Sequence, residues 1–398
     1  MKVYTSKIET AMGRKVVADD MILTKNMATA AGSKMLDGYM SLFDAEVVTK
    51  LENAGFAVSG KTDVGEFAFD LVGESSYNGA CEKDGKLVAA SALALEQDDV
   101  AAAICLDVNG AVRRSAAQSS LISIKPTYGA VSRYGTIPVA CSGETVSVLA
   151  RTVKECREVL YAISGHDDKD GTSLPEELCE KIKTANAPVK KVAVLNSLVS
   201  MADSEVADKI NEFCKSLEDS GVEVSKVDVD VICKSRAAWN ILMSAELCNN
   251  VSRYDGVKYG YRSEKFTNID ELYTNSRTEA FGKLLKTAIL FGSDALSTEN
   301  YMKVYDKALR IRRVICEAFA AIFKEYNAVV MPACSKLAYT KEETEQDIYM
   351  CYKENVFTAP ASITGLPAVV AGGVQLVGKA FSDSALLDAA QAAVKEEK

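Results

Sequence analysis

The sequence predicts an α/β protein whose central sheet is mixed, largely parallel and covered by helices. Segments with apolar residues at helical spacing alternate along the chain with short, continuous apolar runs. Continuous apolar runs are typical of strands that are buried on both faces of a sheet. The chain has 7 prolines in 398 residues and no linker rich in Ser, Gly or Pro. We therefore expect one domain over residues 1–398, with a possible helical insertion at about 235–300.

The individual elements follow from apolar spacing and from glycine stops. The segment 44–55, for example, has apolar Val47, Val48 and Leu51 and ends at Gly55, which is typical of a short helix. The same reasoning predicts helices at 44–55, 87–96, 152–164, 203–221 and 298–326. It predicts strands at 56–62, 101–108, 190–196, 222–229 and 328–332.

Composition excludes several classes of function. A net charge of −9 argues against direct nucleic-acid binding by this chain. No apolar run reaches 18 residues and the start lacks the apolar core of a signal peptide, so we expect a cytoplasmic protein with no membrane partner.

The 11 cysteines form no CxxC pair and are expected to be buried, reduced thiols. With His166 as the only histidine, we expect no metal, no cofactor and no His-based triad.

One stretch has the layout of a loop that presents a reactive residue. It begins with the apolar run AAAICL, continues through CLDVNGA with a turn at Gly110, and then reads VRRSAAQSSLISIKPTYG. Where a hydroxyl or thiol would be expected, the residue is Ala111.

This stretch, IKPTYGAVSRYGTIP included, resembles the amidase signature family, and with it the amidase-signature fold is implied. Within that family the chain is most similar to the subfamily of amidase subunits (the A subunits) of glutamyl-tRNA(Gln)/aspartyl-tRNA(Asn) amidotransferases. Further runs carry the resemblance along nearly the whole chain: TKNMATAAGSKMLDGY, AGFAVSGKTDVGEFAF, SGHDDKDGTSLP, VSRYDGVKYGYRSE, LYTNSRTEAFG and TAPASITGLPAVV. By this comparison the N-terminal helices of the family are missing.

The resemblance implies a catalytic triad of a lysine base, a bridging serine and a nucleophilic serine. The lysine position, in ADDMILTK, is Asp19. The bridging position, counted back without gaps, is Leu87, and the nucleophile position is Ala111. None of the three replacements has the chemistry of its role, so the sequence predicts a degenerate triad.

The substrate side of the family pattern is altered in the same way. The resemblance implies an arginine and an aspartate that hold glutamine, and the matching runs here are KTAILFG and ENVFT. Thr287 and Ala288 stand at the arginine pair and Asn355 at the aspartate. We therefore expect no intact substrate site, and a residual pocket made of Asp107, Asn109, Gly110 and Arg113. Asp107 is expected to bond loop amides, and Arg113 to cap or pair with a buried carboxylate.

Three functions stay open at this point. The first, which the missing triad favours, is a catalytically inactive homologue of the amidotransferase's amidase subunit, which makes it a pseudoenzyme with a binding or assembly role. The second is an active amidase or glutamine amidotransferase with a relocated nucleophile among Cys105, Ser115, Ser119 and Ser142. The third is a small-molecule binding protein that uses the old amidase cavity. Amidotransferase-type subunits or a second copy of the chain are the expected partners, with VSRYDGVKYGYRSE as the contact surface.

Overall fold

The computed structural model describes residues 2–8, 12–97, 99–184 and 187–394. Its strands are β1 (Tyr4–Lys7), β2 (Arg14–Asp19), β3 (Phe56–Thr62), β4 (Glu82–Lys83), β5 (Lys86–Leu87), β6 (Ala102–Asp107), β7 (Ile122–Lys125), β8 (Thr145–Ala150), β9 (Lys191–Leu195), β10 (Glu223–Val227), β11 (Ala328–Pro332), β12 (Ala368–Ala371) and β13 (Val374–Gly378).

The α-helices are α1 (Glu46–Asn53), α2 (Ala90–Gln97), α3 (Ala111–Gln118), α4 (Val153–Ile163), α5 (Glu176–Cys179), α6 (Asn196–Val199), α7 (Ser204–Asp219), α8 (Ser235–Val251), α9 (Ile269–Ala280), α10 (Lys283–Ala295), α11 (Asp306–Ile322), α12 (Lys341–Gln346), α13 (Met350–Thr364) and α14 (Asp383–Ala393). Among the described residues, no helix is long and apolar enough to cross a membrane.

Eleven of the strands form one mixed sheet in the order β1-β3-β2-β6-β8-β7-β12-β13-β11-β9-β10. The α/β class with a mixed sheet covered by helices is thereby confirmed. Parallel pairs lie towards the two ends of the sheet, where β2 pairs with β3 and β6, and β9 with β10 and β11. The middle of the sheet is antiparallel. Parallel pairs are thus fewer than the sequence predicted, and the Gly372–Gly373 turn, for example, joins β12 directly to β13 as an antiparallel pair.

The predicted helices and strands are found close to their expected positions, with two differences. Residues 82–87 form the hairpin of β4 and β5, so α2 starts only at Ala90. Asp84 and Gly85 both have positive φ, which suits a tight two-residue turn and explains the hairpin. The segment 298–326 is not one helix, because a π-helical turn over Tyr301–Tyr305 precedes α11.

Residues 228–327 contribute helices and no strand. In this stretch α10 and α11 both pack on α8. We propose that it contains the helical insertion expected from the sequence.

The junction of β6 and α3 is built around Gly110. All six residues of β6 are buried, and the chain turns at Gly110 before α3 begins at Ala111. Gly110 has φ +84°, and a Cβ placed there would lie 2.3 Å from the Cβ of Thr358. Only glycine fits a position that has both a left-handed backbone and so close a neighbour.

Candidate functional site

A small cavity lies where β2, β6 and α3 meet. Its volume is about 30 Å³. Its polar lining residues come from four segments of the chain: Asp19, Asp63, Asp70, Ser91, Cys105 and Ser115. Ala111 and Val112, in the first turn of α3, complete the wall on one side. A polar cavity of this size has room for about one water molecule.

Asp19, the last residue of β2, is an ionisable group that lines this cavity. One carboxylate oxygen accepts a hydrogen bond from the Leu106 amide at 2.7 Å, and the other accepts one from the Met21 amide at 3.1 Å. Burial raises the pKa of Asp19 to about 7, although both hydrogen bonds and the charge of Lys61 oppose the shift. Asp19 therefore exchanges a proton near neutral pH.

Lys61, on the neighbouring strand β3, is a buried amine that the sequence reasoning missed. Its ammonium lies 3.2 Å from a carboxylate oxygen of Asp20 and donates to the hydroxyl of Thr29. Burial lowers the pKa of Lys61, while Asp20 opposes the shift. The sequence did contain an indication, because Lys61 lies inside FAVSGKT, a run predicted as a strand. A lysine in a buried strand needs a partner for its charged amine.

Of the thiol and hydroxyls named as relocated nucleophiles, Cys105 and Ser115 are the two that line the cavity, and neither is activated. Cys105 is buried, and burial raises the pKa of its thiol well above the usual range. The Ser115 hydroxyl donates to the Ala111 carbonyl within α3 at 2.7 Å. Ser142 bonds Glu246 away from the cavity, and Ser119 lies just past the end of α3. A protonated thiol and a hydroxyl without a base are poor nucleophiles.

The first turn of α3 lies against the cavity. Its N-cap, Gly110, provides no side chain to cap the backbone N–H groups, and Ala111 and Val112 both line the cavity. First-turn N–H groups have no partner inside a helix, and the N-terminal end carries partial positive charge. The position suits a group with developing negative charge.

The structure brings only part of the predicted triad together. Asp19 and Ala111 line the same cavity, whereas Leu87 is not among its lining residues. Leu87 lies in β5, buried, with its amide bonded to the carbonyl of Tyr339. Ala89 and Ser91 are the residues of this segment that reach the cavity.

The three predicted substrate positions also lie outside the cavity lining. The Thr287 hydroxyl donates to the Lys283 carbonyl, and Ala288 is buried in α10. The Asn355 amide donates to the side chain of Asn240.

The residues predicted as a residual pocket make hydrogen bonds to neighbouring strands, helices and loops. Gly110 N–H donates to Asp107 at 2.9 Å, and Arg113 donates to both oxygens of Asp107, which confirms the loop bond and the buried ion pair expected for these side chains. Burial alone would raise the pKa of Asp107, but Arg113 holds it below its ordinary value. Asn109 donates to the carbonyl of Phe69, and its side-chain oxygen accepts from Trp239.

The α/β fold and the strand–Gly110–helix junction can now be compared with those of known protein families. Residues 16–387 match the sequence profile of the Amidase family. The chain belongs to the amidase family.

Particular relatives make the assignment finer. The chain is 35% identical over 390 residues to the A subunit of glutamyl-tRNA(Gln) amidotransferase from Acinetobacter baumannii, covering 92% of this chain and 79% of the relative. It is 33% identical over 402 residues to the protein of that name from Lacticaseibacillus casei, covering 96% and 82%. The crystal structure of the same A subunit from Thermotoga maritima superposes with a TM-score of 0.80 at 27% identity, over 99% of this chain and 87% of that one.

These relatives overturn the expectation of a catalytically inactive pseudoenzyme. Proteins 33–35% identical over at least 92% of the chain are named as amidotransferase subunits, which supports an amidase or amidotransferase function. The expectation was wrong because it inferred loss of activity from three replaced positions. The absence of the lysine and the two serines rules out one catalytic mechanism. It does not rule out a mechanism in which a base in the same cavity activates a water molecule.

Proposed function

We propose that the chain processes carboxamides as the amidase subunit of a cytoplasmic, glutamine-dependent amidotransferase-type assembly. The observation that carries this proposal is its similarity, over at least 92% of its length, to proteins named as the A subunit of such an enzyme. The 11 free cysteines of the structure fit a reducing compartment.

Within this proposal water replaces the serine nucleophile, because Asp19 and Ala111 stand at the lysine and nucleophile positions that the resemblance implies and both line the cavity. Asp19 is the general base, because it faces a water-sized cavity and has a pKa of about 7. Each of its oxygens accepts one backbone hydrogen bond and keeps a lone pair for a proton.

The reaction then balances without a covalent enzyme intermediate. The oxygen of water attacks the amide carbon as its proton passes to the Asp19 carboxylate. The carbonyl oxygen becomes an oxyanion, which the N–H groups of Ala111 and Val112 stabilise at the start of α3. As the oxyanion collapses, the C–N bond breaks and the proton moves from Asp19 to the leaving nitrogen, so a carboxylic acid and ammonia are formed, which ionise to a carboxylate and ammonium.

The substrate must displace part of the cavity wall. At about 30 Å³ the cavity admits a water molecule and not a carboxamide. Gly65, Ala68, Asp70, Val72 and Gly73 form one side of the cavity, so the segment 65–73 is the part that would open. The carboxylates of Asp70 and Glu74 hold this segment through backbone N–H groups.

Ammonia release tests the proposal. Purified protein, alone and with the other subunits of an amidotransferase, should release ammonia from glutamine or another carboxamide, and Asp19→Asn should reduce the rate by at least about 100-fold. Asp208→Asn, on the exposed side of α7, is the matched control and should retain the rate. Thermal melting shows that each variant is folded. If neither preparation releases ammonia from any carboxamide, or if Asp19→Asn keeps the full rate, the proposal fails.

Partner contact is assigned to the exposed part of VSRYDGVKYGYRSE. Tyr254 is buried against the ring of Phe67, so this tyrosine belongs to the core. Arg253, Tyr259 and Arg262 are exposed, and Tyr and Arg side chains are common anchors of interfaces.

Assembly is tested with these exposed side chains. The wild-type chain should co-sediment with amidotransferase-type subunits or with itself, and Tyr259→Ser with Arg262→Ser should weaken that complex. Arg313→Ser, exposed on α11, should not. A monodisperse monomer in analytical ultracentrifugation, together with no capture of the other subunits, contradicts the assignment.

A further inference from the structure

A second cavity, of about 300 Å³, lies between α9 and α10, and within the described part of the chain it shares no lining residue with the Asp19 cavity. Tyr273 and Arg277, one helical turn apart on α9, form one wall, and Lys286 and Ile289 of α10 form the other. The volume is at the lower end of the range that binds small molecules.

The charge of this cavity is opposite to that of the chain. Arg277 and Lys286 are both in the lining, and none of the described lining residues is acidic. The chain as a whole carries a net charge of −9. Two cations in one cavity of an acidic protein attract an anion.

Both cations keep donors for a ligand. Arg277 uses one guanidinium nitrogen to bond the carbonyls of Val251 and Tyr254, at 3.3 and 2.9 Å. The Lys286 ammonium donates to the carbonyl of Thr278 at 3.1 Å, which occupies one of its three N–H groups.

The acidic groups that these cations influence are already bonded elsewhere. The charge of Lys286 favours the ionised form of Glu66, and the Glu66 carboxylate accepts hydrogen bonds from the amide of Gly282 and the hydroxyl of Ser33. The charge of Asp255 favours the charged form of Arg277, and the Asp255 carboxylate accepts hydrogen bonds from two backbone amides of its own loop. Neither carboxylate lines the cavity.

The remaining lining is apolar. Phe281 is buried and lines the cavity, and the Arg277 guanidinium lies 5.0 Å from the centre of its ring. Ile289 adds a branched apolar surface on the other wall. A lining that combines an aromatic ring, a branched apolar side chain and two cations favours a ligand with an apolar body and one negatively charged end.

We propose that the cavity between α9 and α10 is a binding site for a small organic carboxylate with an apolar body. Arg277 and Lys286 hold the carboxylate, and Phe281 and Ile289 contact the body. This site is independent of the amide-processing site and stands whether or not Asp19 is a base.

Benzoate and benzamide are suitable probes, because they have nearly the same shape and differ in charge. In ligand-observed NMR titrations of the full chain, benzoate should bind saturably and at least about tenfold more tightly than benzamide. Lys286→Gln should weaken benzoate binding about five- to tenfold, as expected for one half-exposed charge. Lys283→Gln, an exposed lysine of the same helix outside this cavity, is the matched control and should change nothing.

The same titrations can overturn the proposal. Equal binding of benzoate and benzamide would show that the cations do not recognise the charge. Equal losses in Lys286→Gln and Lys283→Gln would show a general charge effect instead of a site. No saturable benzoate binding in the millimolar range would exclude the site as proposed.

Discussion

Replacing Arg113 with methionine should destabilise the fold more than any other single charge removal at the β6–α3 junction. Arg113 is fully buried and makes five hydrogen bonds. Two go to Asp107, and the others go to the Thr358 carbonyl, the Gln375 side chain and the Ser362 hydroxyl. One side chain therefore connects β6, α3, α13 and β13.

The magnitude follows from what the substitution leaves behind. Methionine fills much of the volume but leaves the Asp107 carboxylate buried without its cation. Breaking one side of a buried ion pair costs about 3–5 kcal/mol. An unfolding entropy of about 2.1 cal/mol/K per residue, applied to 398 residues, gives about 0.84 kcal/mol/K, so the loss corresponds to about 4–6 °C in Tm.

Urea unfolding followed by tryptophan fluorescence measures this loss. Trp239, the only tryptophan, is buried and donates to Asn109 in the same junction. Arg313→Met is the matched control, because Arg313 is exposed and its ion pair within the described residues is with Glu317 on its own helix. The control should lose less than about 1 kcal/mol. A loss for Arg113→Met no larger than for Arg313→Met would refute the reasoning.

Gly110→Ala should cost more than about 2 kcal/mol in urea unfolding, because it combines a positive φ with the contact to Thr358. Gly85→Ala, with φ +73° and no neighbour within 4 Å, is its control and isolates the backbone part; equal losses would argue against the clash. For Asp19 the folded pKa is above the unfolded one, so its contribution to stability is complete below about 3.8 and is lost as pH rises through about 7. Urea midpoints of Asp19→Asn should therefore vary less with pH over that window than those of wild type, and an unchanged slope would contradict the assigned pKa. A serine-directed fluorophosphonate should label no serine in the cavity, since the proposed nucleophile is water; labelling mapped there by mass spectrometry would identify a serine nucleophile instead.

The sequence predicted the framework well because the framework is encoded locally. Apolar runs located β6, β9 and β11, the position after the helix at 44–55 located β3, and Gly110 located the turn before α3. The direction of neighbouring strands was less accessible, since a strand buried on both faces reads the same whether its neighbour is parallel or antiparallel.

The candidate site was predicted only in part, because its chemistry depends on distant contacts. Position 19 was identified, but the pKa of Asp19 is set by burial and by the Leu106 amide, 87 residues away. Lys61 was missed for a similar reason, since its partners Asp20 and Thr29 lie in the turn after β2 and in a loop, more than 30 residues away in sequence. The inference of inactivity failed at this step, where residue identity was taken as a substitute for geometry.

The pH dependence of ammonia release tests the central claim, that Asp19 activates water for attack on a carboxamide, most directly. With Asp19 as the base, the rate at saturating carboxamide should rise as pH increases through about 7 and then level off, because only the ionised carboxylate accepts a proton. The Asp19→Asn variant should show a rate that is lower throughout and has no such rise. Ammonia release that is undetectable at every pH, or an inflection that persists in Asp19→Asn, would contradict it.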